Sequence, residues 1–211
     1  MNSPLSEHDP EVVAAALRRH DATILAMATP EFTRKRNRLP RSCYVGQQWY
    51  FITACAGARQ SPFSNRVLVR SILDLLQAQC SVCIFDVYAY CFMPDHLHVE
   101  LAGLSASSDA IKLLHNFKGI ATSKARALGV RGLWEKGFYD HILRSGDNHN
   151  AVAWYIFNNP VRKGFVKDPR DWPYSGSWMF DWKKAVAPPD PYVPPWRSGG
   201  FTPPSGFTVA R

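Results

Sequence analysis

The stretch Met93-Pro94-Asp95-His96-Leu97-His98-Val99-Glu100-Leu101 sets two imidazoles two residues apart at the head of an alternating apolar run. Side chains alternate along a β-strand, so His96 and His98 share one face while Leu97, Val99 and Leu101 face a core. Neighbouring side chains on one rigid strand face can converge on a single ion. The alternative is a pair of half-exposed strand histidines with no ligand.

A second group of polar residues lies downstream, in Trp154-Tyr155-Ile156-Phe157-Asn158-Asn159. At helical spacing, Val152, Ala153, Trp154, Ile156 and Phe157 fill a broad apolar arc, and Tyr155, Asn158, Asn159 and Arg162 share the remaining narrow stripe. Tyr155 and Asn159 are neighbours on that stripe, one turn apart. A tyrosine hydroxyl, two imidazoles and an amide oxygen in basic surroundings suit phosphodiester transfer. A divalent ion held by His96, His98 and the Asn159 amide oxygen would offset charge on a scissile phosphate. The Tyr155 oxygen would attack phosphorus, leaving a covalent phosphotyrosine and a free 3′-hydroxyl. Two nitrogen donors with oxygen donors fit Mg2+ or Mn2+ and do not exclude zinc.

These residues need elements to hold them. Gln48 to Ala54 is β-prone, Asn65 to Gln79 carries an amphipathic helical pattern, and Ile84 to Phe92 is an aromatic strand. Pro94-Asp95 turns the chain into an antiparallel strand over His96 to Ala102. Ser107 to Leu128 reads as a second amphipathic helix with Ile111, Leu114, Phe117, Ile120 and Ala121 inward. Gly137 to Arg144 is a short strand, and Asp147 to about Arg162 a third helix that Pro160 can kink or end. The order β-α-β-β-α-β-α describes an α+β, ferredoxin-like split βαβ core: an antiparallel sheet with helices on one face, and a further C-terminal helix carrying the tyrosine.

The chain has 211 residues and a formal net charge of +8, enough for one domain with extensions and suited to a polyanionic partner. Arg34, Lys35, Arg36, Arg38 and Arg41 are clustered, giving the expected division: a helical and basic extension over 1–40, a catalytic domain over 41–184, and a flexible, proline-rich tail over 185–211. Apolar runs are too short to cross a bilayer and the first residues lack a signal-peptide pattern, so a cytoplasmic protein without a membrane partner is expected. The five cysteines form no spaced framework and are expected as thiols. Cys80-x-x-Cys83 could be half a zinc site, but no second pair follows; burial where the helix meets the strand accounts for it.

The histidine–hydrophobic–histidine motif, followed by Tyr155-Ile-Phe-Asn-Asn-Pro-Val-Arg, resembles the HUH single-tyrosine transposases. Within them the chain is most similar to the REP-associated tyrosine transposases. The similarity runs through Tyr90-Cys-Phe-Met-Pro-Asp-His-Leu-His, Leu133-Trp-Glu-Lys-Gly-Phe-Tyr-Asp-His-Ile-Leu-Arg, Asn159-Pro-Val-Arg-Lys-Gly-Phe-Val and Asp171-Trp-Pro-Tyr-Ser, in order, over residues 41 to 180. The resemblance implies His96, His98 and Asn159 as metal ligands and Tyr155 as nucleophile. It also implies single-stranded DNA folded into an imperfect hairpin as partner, cut beside the hairpin. Some relatives are dimers that exchange tyrosine helices and others are monomers; Ser145-Gly146-Asp147 suits either a swapping hinge or a simple turn.

Other polar residues could support such a site. His141, Arg144, Arg162, Lys118, Arg34, Lys35 and Arg36 are candidates for supporting the ligands or touching DNA. Asp140 and Arg144 share one strand face and His141 the other. Glu100 shares the His98 face, as a support to the ligands or as a solvated carboxylate. His115 can meet phosphate or solvent. Trp134, Trp172, Trp178 and Trp182 can stack on bases or serve as core and cover. Two other functions fit parts of the chain. One is a domesticated hairpin-binding protein with weak or no cleavage, against which the intact His, His, Tyr and Asn set speaks. The other is an amidohydrolase-type metal site, for which further ligands are missing.

Overall fold

In a computed structural model, residues 39–57, 60–144 and 146–194 are described. Residues 1–38 of the expected helical and basic extension, with Arg34, Lys35 and Arg36, lie outside them, as do Ser145 and the tail beyond Pro194.

The aromatic run and the histidine run form a hairpin, β2 (Phe85–Met93) with β3 (His96–Gly103), turned by Pro94-Asp95. β1 (Trp49–Cys55) pairs antiparallel with the other edge of β3, and β4 (Tyr139–Leu143) pairs antiparallel with β1. A two-residue β5 (Ser175–Gly176) closes the β2 edge, giving a sheet of order β4-β1-β3-β2-β5. Without β5 this is the order of a split βαβ fold, with β3 inserted between β1 and β2.

Helices α1 (Arg66–Cys83) and α2 (Ala110–Ala127) cover one face. Asn65 caps α1 by accepting the N–H groups of Val67 and Leu68, and Asp109 caps α2 through Lys112. Leu68, Ile72, Leu76, Leu113, Leu114 and Phe117 pack onto Tyr50, Ile52, Leu97, Val99 and Leu101. Ile120, expected inward, is 40 % exposed: the seam of α2 runs through Leu113, Phe117, Ala121 and Ala125, and Ile120 falls one step round on its solvent rim.

The sheet's other face is also covered, by α3 (His149–Phe157), which carries Tyr155. Val152, Ala153, Ile156 and Phe157 pack there with Phe51, Ala89, Cys91, Met93, Leu143 and Trp182. A register shift between Val87 and Ala89 lets β2 serve both cores. Val87 packs under α1 and α2, while Ala89 and Cys91 pack under α3. The expected continuous third helix is instead two: α3 stops at Phe157, and α4 (Asn159–Arg162) starts afresh with Pro160 in its first turn. Pro160 has no N–H to continue the ladder and fits best where a new helix begins.

All five cysteines are free thiols, with Cys80 and Cys83 buried at the end of α1. Within the stretch expected as tail, Tyr192 seats its ring against Phe51 and Tyr155. Among the described residues, no helix is long and apolar enough to cross a membrane.

Candidate active site

His96 and His98 project from β3 toward α3, with ring centroids 4.6 Å apart. His96 sits at the strand's first position and is partly open, its Nδ1 2.7 Å from an Asp95 carboxylate oxygen. A carboxylate can only accept, so Nδ1 donates to Asp95. The Nε2 of His96 is 2.9 Å from Nδ2 of the Asn159 carboxamide. His98 is 5 % exposed, and its Nδ1 exchanges a hydrogen bond with Thr53 Oγ1 at 2.7 Å. Burial holds its imidazole well below the ordinary range, and the nearby His96, Arg162 and Lys163 push the same way. His98 is therefore neutral, the state in which imidazole binds metal.

Tyr155, half-buried on α3, lies over this strand: its ring centroid is 6.4 Å from that of His98 and 5.9 Å from Phe51. Arg162, on α4, stacks its guanidinium over the Tyr155 ring at 4.0 Å. The break between α3 and α4 lets Asn159, 4 % exposed, turn in toward His96 while Tyr155 stays beside His98. Four residues from two distant segments thus meet on one sheet face.

The donor chemistry suits a divalent cation. Among the described residues no three His, Cys, Asp or Glu side chains converge. The set here has two imidazoles beside one carboxamide, whose Nδ2 faces His96 Nε2 and whose oxygen could serve as a third donor. Asp95, beside His96, orients that ring as outer partners of metal-binding histidines do.

Other expected residues are distributed differently. His141 lies opposite Phe51 on the same sheet face as the histidine pair, with burial lowering its pKa. Asp140 is on the other face, where the Tyr44 hydroxyl donates to it at 2.5 Å. Arg144 is exposed past β4, its backbone N–H donated to Asp147. Lys118 donates from Nζ to the carbonyl oxygens of Glu135 and Gly137 and lies over the Trp134 ring, so it braces the segment before β4 on the α2 side of the sheet. His115 is exposed on α2. Trp182 stacks on Phe157 and Trp172 donates to the Phe92 carbonyl, as core and cover.

Glu100 departs from the solvated reading. It is fully buried and accepts a hydrogen bond from Nδ1 of His149 at 2.9 Å. Burial pushes its carboxyl up to about 7, against the pull of His149. Sequence reasoning missed His149, although it stands at the start of the tyrosine helix, where a polar side chain facing the sheet has reason to find a partner.

No family model matches the chain. A REP-associated tyrosine transposase of Escherichia coli K12 is 27 % identical over 106 residues, 46 % of this chain and 62 % of the relative. A Haemophilus influenzae protein given the same family name is 30 % identical over 118 residues, 50 % of this chain and 66 % of the relative. The chain is related to the REP-associated tyrosine transposases. It spans less than two thirds of the length of either of these relatives. The fold agrees: a solved structure of a REP-associated tyrosine transposase bound to a REP hairpin superposes with a TM-score of 0.61. That superposition covers 73 % of this chain and 88 % of the other, at 22 % identity.

Proposed function

We propose that the protein is a metal-dependent nicking and joining enzyme for hairpin-forming single-stranded DNA, of the HUH single-tyrosine transposase kind. The observation that carries this reading is the meeting of His96, His98 and Asn159 with Tyr155 across β3, α3 and α4. The family names of the relatives, and the hairpin bound by the structural neighbour, support DNA hairpins as the substrate class. The net charge of +8 suits a phosphate backbone.

His96, His98 and Asn159 would hold Mg2+ or Mn2+. The ion would supply Lewis-acid stabilisation of the charge that builds on a scissile phosphate. The protein residues do the rest. Tyr155 Oη attacks phosphorus and gives up its proton to solvent. A P–O bond forms to the tyrosine, the P–O3′ bond breaks, and the departing 3′-oxygen takes a proton. The product is a 5′-phosphotyrosine, and the 3′-hydroxyl of a strand can reverse the step and join DNA. Thr53 and Asp95 keep both imidazoles in orientation, and Arg162 places a fixed positive charge on the ring of the attacking group.

The test is incubation of the protein with Mn2+ and a labelled hairpin oligonucleotide carrying a single-stranded flank, followed by a denaturing gel. A covalent band is expected with the native protein and none with Tyr155→Phe, whose hairpin affinity stays within about twofold because only one oxygen is removed. An adduct persisting in Tyr155→Phe overturns the assignment. Hairpin binding with no adduct at any metal concentration would favour a binding protein without cleavage.

A further inference from the structure

We propose that Glu100 and His149 form a positioning pair that sets which residue of β3 the Tyr155 side chain faces. This rests on the reading of Tyr155 as nucleophile but involves neither Tyr155 nor the three candidate donors.

Glu100 is 0 % exposed, two residues beyond His98 on the same face. One carboxyl oxygen accepts from His149 Nδ1; the other is buried with no hydrogen-bond partner. A buried carboxyl only half satisfied is costly, and an apolar side chain of similar size would fill the space more favourably. What the carboxyl adds is direction: it captures one atom of one helix residue. His149 is the first residue of α3, and its ring is held against the Trp49 ring, centroids 4.0 Å apart.

The contact gives the helix a reference point along the strand. At the other end, Asn159 meets His96 at 2.9 Å, so β3 and the α3–α4 segment run antiparallel and join at two points. From Glu100 to His96 is roughly 13 Å along a strand. From His149 to Phe157 is roughly 12 Å at helical rise and Asn159 follows past the break, so the two spans are comparable. Tyr155, roughly 9 Å along α3 from His149, is carried to the level of His98, as the 6.4 Å ring separation shows. Beside the Glu100–His149 contact the Tyr88 hydroxyl of β2 donates to Asn150; the rest of the α3 contact is apolar (Val152, Ala153, Ile156, Phe157) and non-directional, so it resists lifting more than sliding. A slip of one turn, about 5.4 Å, would carry Tyr155 past His98 altogether. The join at Asn159 is itself made of candidate metal donors. The Glu100–His149 join is the one on β3 that involves none of those donors, with Tyr88–Asn150 beside it from β2.

Two variants separate the hydrogen bond from packing. His149→Phe keeps a ring against Trp49 and removes the donor, whereas His149→Asn removes the ring and keeps a donor close to the Nδ1 position. Hydrogen exchange of α3 amides is followed by mass spectrometry without DNA, and single-turnover adduct formation is followed with Mn2+ and the hairpin oligonucleotide. His149→Phe is expected to speed exchange in α3 by about tenfold or more, leaving β3 unchanged. It should also slow the adduct by about tenfold or more with hairpin affinity held. His149→Asn is expected to stay near the native protein in both readouts. Native behaviour of His149→Phe, or failure of His149→Asn to retain it, overturns the proposal. Global unfolding of His149→Phe in a melting curve also overturns it, since the pair would then be a general support of the fold. If the native protein forms no adduct, the reading of Tyr155 falls and the exchange measurement alone decides the pair.

Discussion

Arg162 grips Tyr155 twice: its guanidinium lies 4.0 Å over the phenol ring, and its Nη1 donates to the Tyr155 carbonyl oxygen at 2.6 Å. The short helix after the α3–α4 break therefore returns to hold both the ring and the backbone of the residue proposed as nucleophile. A cation over a ring face is favoured by the ring's quadrupole, and more so as the phenol oxygen gains negative charge.

Arg162→Ala is accordingly expected to slow adduct formation by about tenfold to a hundredfold. Arg162→Lys should recover little, because an ammonium offers neither a planar stack nor the forked donor geometry. Single-turnover rates with the hairpin oligonucleotide check both. Full activity in the lysine variant would mean that charge alone matters at this position.

The candidate donor set makes a binding prediction that needs no DNA. Titration calorimetry with Mn2+ should show binding to the native protein that weakens by about tenfold or more in His96→Ala and in Asn159→Ala. Asp95→Asn, which alters only the orienting partner of His96, should weaken it less than His96→Ala. Equal Mn2+ affinity across all four proteins would remove the metal from the site.

Two buried groups on β3 give opposite pH dependences. Burial, then His96, Arg162 and Lys163, keeps the His98 pKa well below its ordinary 6.5. As pH falls below 6.5 the unfolded chain takes up a proton that folded His98 refuses, so this contribution to stability is lost on acidification. Burial raises Glu100 from 4.5 to about 7. Its contribution is present in full below 4.5 and is lost as pH rises through about 7. Each tilts stability with pH within its own window, in opposite directions. Between pH 6.5 and 5.5 the two offset one another. Relative to the native protein, Glu100→Gln should therefore lose about 1 kcal/mol on that acidification, and His98→Gln should gain stability. Urea unfolding at the two pH values reads the signs, and shifts of the same sign in both variants would contradict the assignment.

Ile84 ends α1 at φ 61° and ψ 56°, the left-handed region, with its side chain 42 % exposed. A β-branched residue is strained there, whereas asparagine adopts this region readily. Ile84→Asn should raise stability by about 1 kcal/mol, read as a higher melting temperature. A lower melting temperature would mean that the exposed side chain contributes more by packing than the backbone loses.

Much of this architecture is local and therefore legible. The two-residue period of His96 to Leu101 assigns Leu97, Val99 and Leu101 to the core under α1 and α2, and the two histidines to the other face. The helical wheel separates half-buried Tyr155 from buried Val152, Ala153, Trp154, Ile156 and Phe157. Periodicity follows from backbone geometry, and each segment carries it without reference to the rest of the chain.

What covers each face is a different matter. The burial of Glu100, its capture of His149, the reach of Lys118 to carbonyl oxygens and the turn of Asn159 toward His96 join residues far apart in the chain. The shift between Val87 and Ala89 reverses which side chains of one strand face which core. None of these leaves a local pattern, because burial and hydrogen-bond partners are set only when distant segments close on each other. From the sequence came the two histidines on one strand face and the tyrosine on a polar stripe. The tertiary structure alone brought α3 down over that face, and packing against β3 decided that Tyr155 stands beside His98.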